Sequence, residues 1–185
     1  MIARQIATAG GIGHLPGAPG TWASLAAIPL AWALHAIGGF WLMGPASLVV
    51  IGAGWWATRA MLLERVADPD AALDLEWDPA DGALHAPGAE DPPEIVIDEV
   101  AGMLIALWPL SLGLTVTGAA PEVFPWPGWV LGFLLFRFFD IVKPPPVRWA
   151  DRLPGAAGVM LDDLVAGALT AVIALAAAGV AHGWV

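Results

Sequence analysis

Between Arg4 and Arg59 the sequence carries no Asp, Glu, Lys or Arg over 54 positions. A run of that length leaves a water-facing surface nothing to be built from, whereas a hydrocarbon core of about 30 Å accepts helices of roughly 20 apolar residues. Gly10-Gly11, the PGAPG stretch at 16–20 and Gly38-Gly39 interrupt it. The spacing therefore predicts a loop and two helices, the first over Trp22–Ile37 and the second over Phe40–Ala60. Further uncharged runs at Val100–Pro121, Val123–Phe136 and Leu164–Val185 supply a third, fourth and fifth. The expected fold is all-α: a compact helical bundle, a polytopic membrane protein with about five hydrophobic helices, formed by a single domain over 1–185.

The segment 64–94 breaks this pattern. It holds ten acidic residues and one Arg, with Pro69, Pro79, Pro87, Pro92 and Pro93 among them. That composition favours a solvated, partly disordered acidic loop. Overall the chain is 58% hydrophobic and 13% charged, against roughly 25% charged in soluble domains, which again points to a bilayer. It has no cysteine, so disulfides, thiolate-bound zinc and cysteine nucleophiles are excluded and the chemistry must use oxygen and nitrogen. A net charge of -10 with only seven basic residues sets nucleic acid aside as a partner, because phosphate-backbone binding relies on clustered Lys and Arg. Met1-Ile2-Ala3-Arg4 does not open a secretory signal, so the N-terminus is expected to be retained.

Lys and Arg mark cytoplasmic loops. With five spans starting inside, Arg4, Arg59, Arg65, Arg137, Lys143, Arg148 and Arg152 all fall on one side, and the short turns at Gly38-Gly39 and Thr117–Glu122 fall on the other. The same arrangement brings Asp98, Glu99, Asp140, Asp162 and Asp163 to the basic side, a set suited to holding a divalent metal.

Four segments carry these groups. PPEIVIDEVAGMLIAL starts a helix after Pro92, with Glu94 and Asp98 four apart on one face, and Asp98 and Glu99 at the brink of an apolar run, where an ionisable group is expensive and is by default a functional candidate. The alternative is a pair of helix-start charges favoured by the dipole. LLFRFFDIVKPPPVRWADR closes an apolar helix with Arg137, Asp140 and Lys143, three apart, before Pro144 stops it. Such a basic pair beside a carboxylate fits a phosphate next to a metal; a structural Arg137–Asp140 ion pair is the alternative. GVMLDDLVAGALTAVIAL puts Asp162 and Asp163 immediately before the last apolar helix, either as oxygen ligands for a hard ion such as magnesium or as caps. GIGHLPGAPGTWASL leads from a Gly/Pro loop into a helix start near Thr21 and Ser24, where amide N–H groups can hold an anion; Thr capping is the alternative. Trp residues near helix ends read as interfacial anchors.

The ordered set APGTWASL at 18–25, DPPEIVIDEVAGM at 91–103, FRFFDIVKPPP at 136–146 and GVMLDDLVAG at 158–167 resembles the phosphatidylglycerophosphatase A family across nearly the whole chain. The resemblance implies an all-helical enzyme of the bacterial inner (cytoplasmic) membrane, with its site facing the cytoplasm. Such an enzyme hydrolyses the lipid substrate phosphatidylglycerophosphate to phosphatidylglycerol and phosphate with Mg2+. Carried onto this chain, it implies Asp98, Asp162 and Asp163 as metal ligands. Arg137 and Lys143 would neutralise phosphoryl charge, Glu99 or Glu94 would orient or deprotonate water, and Asp140 would ligate the metal or fix the basic pair. Thr21 and Ser24 are expected near the substrate phosphate. A membrane cation-binding or transport protein with carboxylate-lined sites is the rival reading; its acids should lie at mid-membrane.

Overall fold

The fold is described from a computed structural model, which defines residues 1–67, 76–78, 83–85 and 92–181. A short helix α1 (Ile2–Ala7) and a 3-10 turn (Ile12–His14) precede the long α2 (Pro19–Val66). Strands β1 (Glu76–Asp78) and β2 (Ala83–His85) then pair antiparallel, Trp77 opposite Leu84. After them come α3 (Ile97–Ala106), α4 (Trp108–Val116), α5 (Trp126–Val142), α6 (Pro145–Asp151) and α7 (Ala156–Ala181). The molecule is all-α in class, the hairpin being a small addition. The rest of the acidic segment, at 68–75, 79–82 and 86–91, lies outside the described residues.

The two helices expected on either side of Gly38-Gly39 are the halves of α2. Gly38 (φ -150°, ψ 18°) and Gly39 (φ 60°, ψ -156°) leave the helical region, and the φ of Gly39 lies where only glycine sits without penalty. The chain reverses there. Gly20 near the start of α2 touches Glu99 of α3, Arg65 near its end pairs with Glu94 just before α3, and Gly39 abuts Thr115 at the end of α4. The amide of Phe40 donates to Thr115 Oγ1 at 2.8 Å, and His35 Nδ1 lies 2.8 Å from Ser111 Oγ. Both ends of α2 thus stand at one end of the bundle and its turn at the other. The third expected helix divides at Leu107 into α3 and α4, Pro109 following as the second residue of α4. The fourth and fifth extend further toward the acidic end than the charge-free runs allowed: α5 runs to Val142 and α7 begins at Ala156.

Side-chain size sorts opposite to a soluble bundle. Ala23, Ala27 and Ala31, one turn apart on α2, are fully buried, as are Ser24 and Ser47. Gly102 of α3 and Gly167 of α7 press so closely that a Cβ on either would fall 2.5 Å from the Asp163 carbonyl oxygen or 2.3 Å from that of Gly102. Trp22, Trp32, Trp41, Leu48, Trp56 and Val172 instead point outward. Small residues inside and bulky apolar ones outside are the arrangement of helices that pack in lipid, where close backbone approach replaces hydrophobic driving force. Three helices, α2, the continuous α3–α4 stretch Ile97–Val116, and α7, are long and apolar enough to cross a membrane. Only 17% of the most apolar window of α2 and 22% of that of α7 is buried, which leaves a wide apolar face for lipid.

Candidate active site

At the end of the bundle where α2 starts, a cavity of about 210 Å³ is lined by Pro19, Gly20, Pro93, Ile95, Asp98, Glu99, Asp140, Lys143, Val159, Asp162 and Asp163. Three elements deliver the carboxylates. Asp98 and Glu99 occupy the first turn of α3. Asp140 lies in the last turn of α5, and Asp162 and Asp163 project from α7 about two turns after its start. Capping of α7 is thereby excluded for this pair, since a cap must precede the first turn. Asp98, Asp162 and Asp163 are 6%, 7% and 3% exposed.

The close crossing of α3 and α7 sets the geometry. Because Gly102 and Gly167 lack side chains, Asp98 and Asp163, each four residues before its own glycine, are brought within reach of one another. Within each adjacent pair the first acid is tied back to the second: the Glu99 amide donates to Asp98 Oδ1 and the Asp163 amide to Asp162 Oδ1, both at 2.9 Å. Gly20 admits the fifth carboxylate, since a Cβ there would lie 1.9 Å from Glu99 Oε1.

Two basic residues answer five acids. Arg137 Nη1 lies 2.7 Å from Asp140 Oδ2, the intrahelical ion pair anticipated as the structural alternative, yet Asp140 still lines the cavity. Lys143 is not on the α5 face. It forms the left-handed C-cap (φ 46°, ψ 65°) ahead of Pro144, and its Nζ bonds Asp162 Oδ2 at 2.8 Å and also Asp151. Burial alone would lower the Lys143 pKa, but the bonds to Asp151 and Asp162 outweigh it and hold the ammonium above its ordinary range. Asp151 escaped the sequence reading because it lies past three prolines, with nothing in its spacing to relate it to Lys143.

Glu94 falls in the turn before α3, so it does not share a helical face with Asp98; it pairs with Arg65 and is absent from the cavity lining. Thr21 and Ser24 sit in the first turns of α2 but do not line the cavity, and the Ser24 hydroxyl is committed to the Gly20 carbonyl at 2.8 Å. The backbone at Pro19 and Gly20 reaches the cavity in their place.

The donor set suits a hard cation. Asp98, Glu99 and Asp163 each offer a carboxylate oxygen within 4.8 Å of one another, as do Asp140, Asp162 and Asp163. Glu99 Oε2 and Asp163 Oδ1 are buried without a hydrogen-bond partner among the described residues. A buried carboxylate oxygen left so is costly unless a cation meets it, and all-oxygen sites match magnesium, calcium or manganese.

A helical bundle with wide outward apolar faces and an acidic cavity of about 210 Å³ at one end defines the class: a membrane protein with a carboxylate-lined polar site. The family profile described as "Phosphatidylglycerophosphatase A" matches residues 5–72 and 71–178. The chain belongs to the phosphatidylglycerophosphatase A family and is a phosphatase. It is 32% identical to "Phosphatidylglycerophosphatase A" of Escherichia coli (87% of this chain, 74% of the relative). It is 30% identical to the protein of that name from Haemophilus influenzae (90% and 82%). Identity is 35% to a Bacteroides thetaiotaomicron protein named "Putative phosphatidylinositol-3-phosphatase" (88% and 84%). No solved structure matches the chain.

Proposed function

We propose that the chain hydrolyses phosphatidylglycerophosphate to phosphatidylglycerol and phosphate, with Mg2+, at the cytoplasmic face of the bacterial inner membrane. The observation that carries this reading is the meeting of five carboxylates, Arg137 and Lys143 at one end of a lipid-facing bundle, in a chain of this family. All seven basic residues belong to loops or helix ends on that side, which supports a cytoplasmic orientation. The acids gather at one end of the bundle, within about two turns of the ends of α3, α5 and α7, and not half-way along it, which favours a phosphatase over a cation pathway.

Asp98, Asp162 and Asp163, each a member of one or both carboxylate triads, would hold Mg2+, which when bound would supply Lewis-acid polarisation of the phosphoryl oxygens. Lys143, steadied by Asp151, stabilises charge on the phosphoryl group as it transfers, and Arg137, behind the cavity lining, adds its positive charge through its pair with Asp140. Glu99, with an oxygen free of other bonds, orients and deprotonates the attacking water, the task for which Glu94 is too far engaged with Arg65. The acyl chains stay in the bilayer while the head group reaches the cavity.

The test is phosphate release by the detergent-purified chain from phosphatidylglycerophosphate, phosphatidate and phosphatidylinositol 3-phosphate, with Mg2+ and with EDTA. Fastest release from phosphatidylglycerophosphate, abolished by EDTA, is expected. Preference for the inositol lipid would transfer the substrate assignment to the chemistry named for the Bacteroides relative, and EDTA-resistant turnover would remove the metal.

A further inference from the structure

We infer that the cavity holds two divalent cations rather than one, with Asp163 as the ligand they share. The first would lie among Asp98, Glu99 and Asp163, the second among Asp140, Asp162 and Asp163. The inference rests on the metal-dependent reading above, specifies its stoichiometry, and adds metal binding to the roles of Glu99 and Asp140 given there.

Three observations converge on it. The two carboxylate triads are separate in composition except for Asp163, which belongs to both and is the most buried acid of the cavity. Its Oδ1, like Glu99 Oε2, has no hydrogen-bond partner among the described residues. An acid serving one ion with one oxygen would leave the other such an orphan. A carboxylate shared between two ions uses both.

The second observation is where the basic side chains go. Arg137 is bound to Asp140, and Lys143 to Asp162 and Asp151. Among the described residues none forms a salt bridge with Asp98, Glu99 or Asp163, and Arg137 reaches Glu99 only through space, from its pairing with Asp140. A single ion placed on the α3 side would leave Asp140 and Asp162 with the two basic residues alone, and one placed on the α5 side would leave two acids, Asp98 and Glu99, unanswered.

The third is the overall charge. Five carboxylates against Arg137 and Lys143 leave an excess of three negative charges, or four when Asp151 is included. One divalent ion leaves the cavity negative in either count, which repels a phosphate monoester dianion. Two bring it to neutrality or to one positive charge. A pair of ions also clamps both the attacking and the leaving oxygen of an in-line displacement.

The full-length chain in detergent is titrated with Mn2+, a paramagnetic ion with the same taste for oxygen ligands as Mg2+. Calorimetry and electron paramagnetic resonance are read together. Two ions per chain with an exchange-coupled spectrum at saturation are expected. Asp98→Asn and Asp162→Asn should each drop to one uncoupled ion, and Asp163→Asn should lose the coupling, with circular dichroism reporting that each variant is folded. Should Asp163→Asn not fold, the wild-type stoichiometry and the two flanking variants decide alone. Saturation of the wild type at one ion, or two ions without coupling, overturns the inference. Phosphate release sustained by a single ion overturns the pair and leaves the phosphatase standing; two coupled ions without release from any lipid does the reverse.

Discussion

Asp162 and Asp163 illustrate what a single buried acid is worth here. Each is held in place by its own helix and faces other carboxylates, so neutralising one changes the electrostatics without changing the shape. Asp98→Asn, Asp140→Asn, Asp162→Asn and Asp163→Asn should each lower turnover at least about tenfold if each group contributes ~1.4 kcal/mol to the transition state, measured as phosphate release; full activity in all four would discard the site. Lys143 gives a prediction of opposite kind. Its pKa is raised in the folded state, so the stabilisation from its contacts is complete below the ordinary lysine range and is lost only as pH rises through the elevated value. Lys143→Met should therefore impair turnover across the neutral and mildly alkaline range, while Lys143→Arg, which keeps the charge, should retain more activity. The residue types of the site were legible because acids beside apolar runs are conspicuous. The partners were not: Glu94 pairs with Arg65, and Lys143 with Asp151, through tertiary approach that spacing does not encode.

Helices were legible as apolar runs, and their ends at the acidic side were not. Each of α3, α5 and α7 reaches further in that direction than its charge-free stretch, because the boundary rule treats an acid as the end of a span. That rule fails where acids face one another inside the bundle: Asp140 forms an ion pair with Arg137 within α5, and Asp162 and Asp163 point into the cavity from within α7. The Gly102–Gly167 crossing joins glycines of two helices distant in sequence, a contact that spacing does not encode. It fixes the distance between α3 and α7. Gly102→Ala would place a Cβ 2.5 Å from the Asp163 carbonyl oxygen and 2.7 Å from the Phe136 ring. A loss of about 1–3 kcal/mol from overpacking is expected, read as a lowered midpoint of thermal unfolding in detergent. Gly20→Ala meets a side-chain oxygen of Glu99, and should depress turnover more than stability.

For the molecule as a whole, the outward apolar faces of α2 and α7 predict retention in the pellet after alkaline carbonate extraction of membranes; release into the supernatant would refute a spanning bundle. The natural absence of cysteine makes orientation directly measurable. Ala120→Cys, exposed beyond α4, should react with a membrane-impermeant maleimide added to intact cells, and Ala67→Cys, exposed after α2, only once the cells are opened.

The reversal at Gly38-Gly39 uses two residues where most connections need several, and its backbone is pressed against Thr115. In the orientation proposed above, the described residues on the far side of the membrane outside a helix are this turn and the stretch from Thr117 to Pro125, beside the end of α7. A protease or antibody admitted to that side would find few connecting residues among those described, so in the proposed orientation cleavage there is expected to be slow.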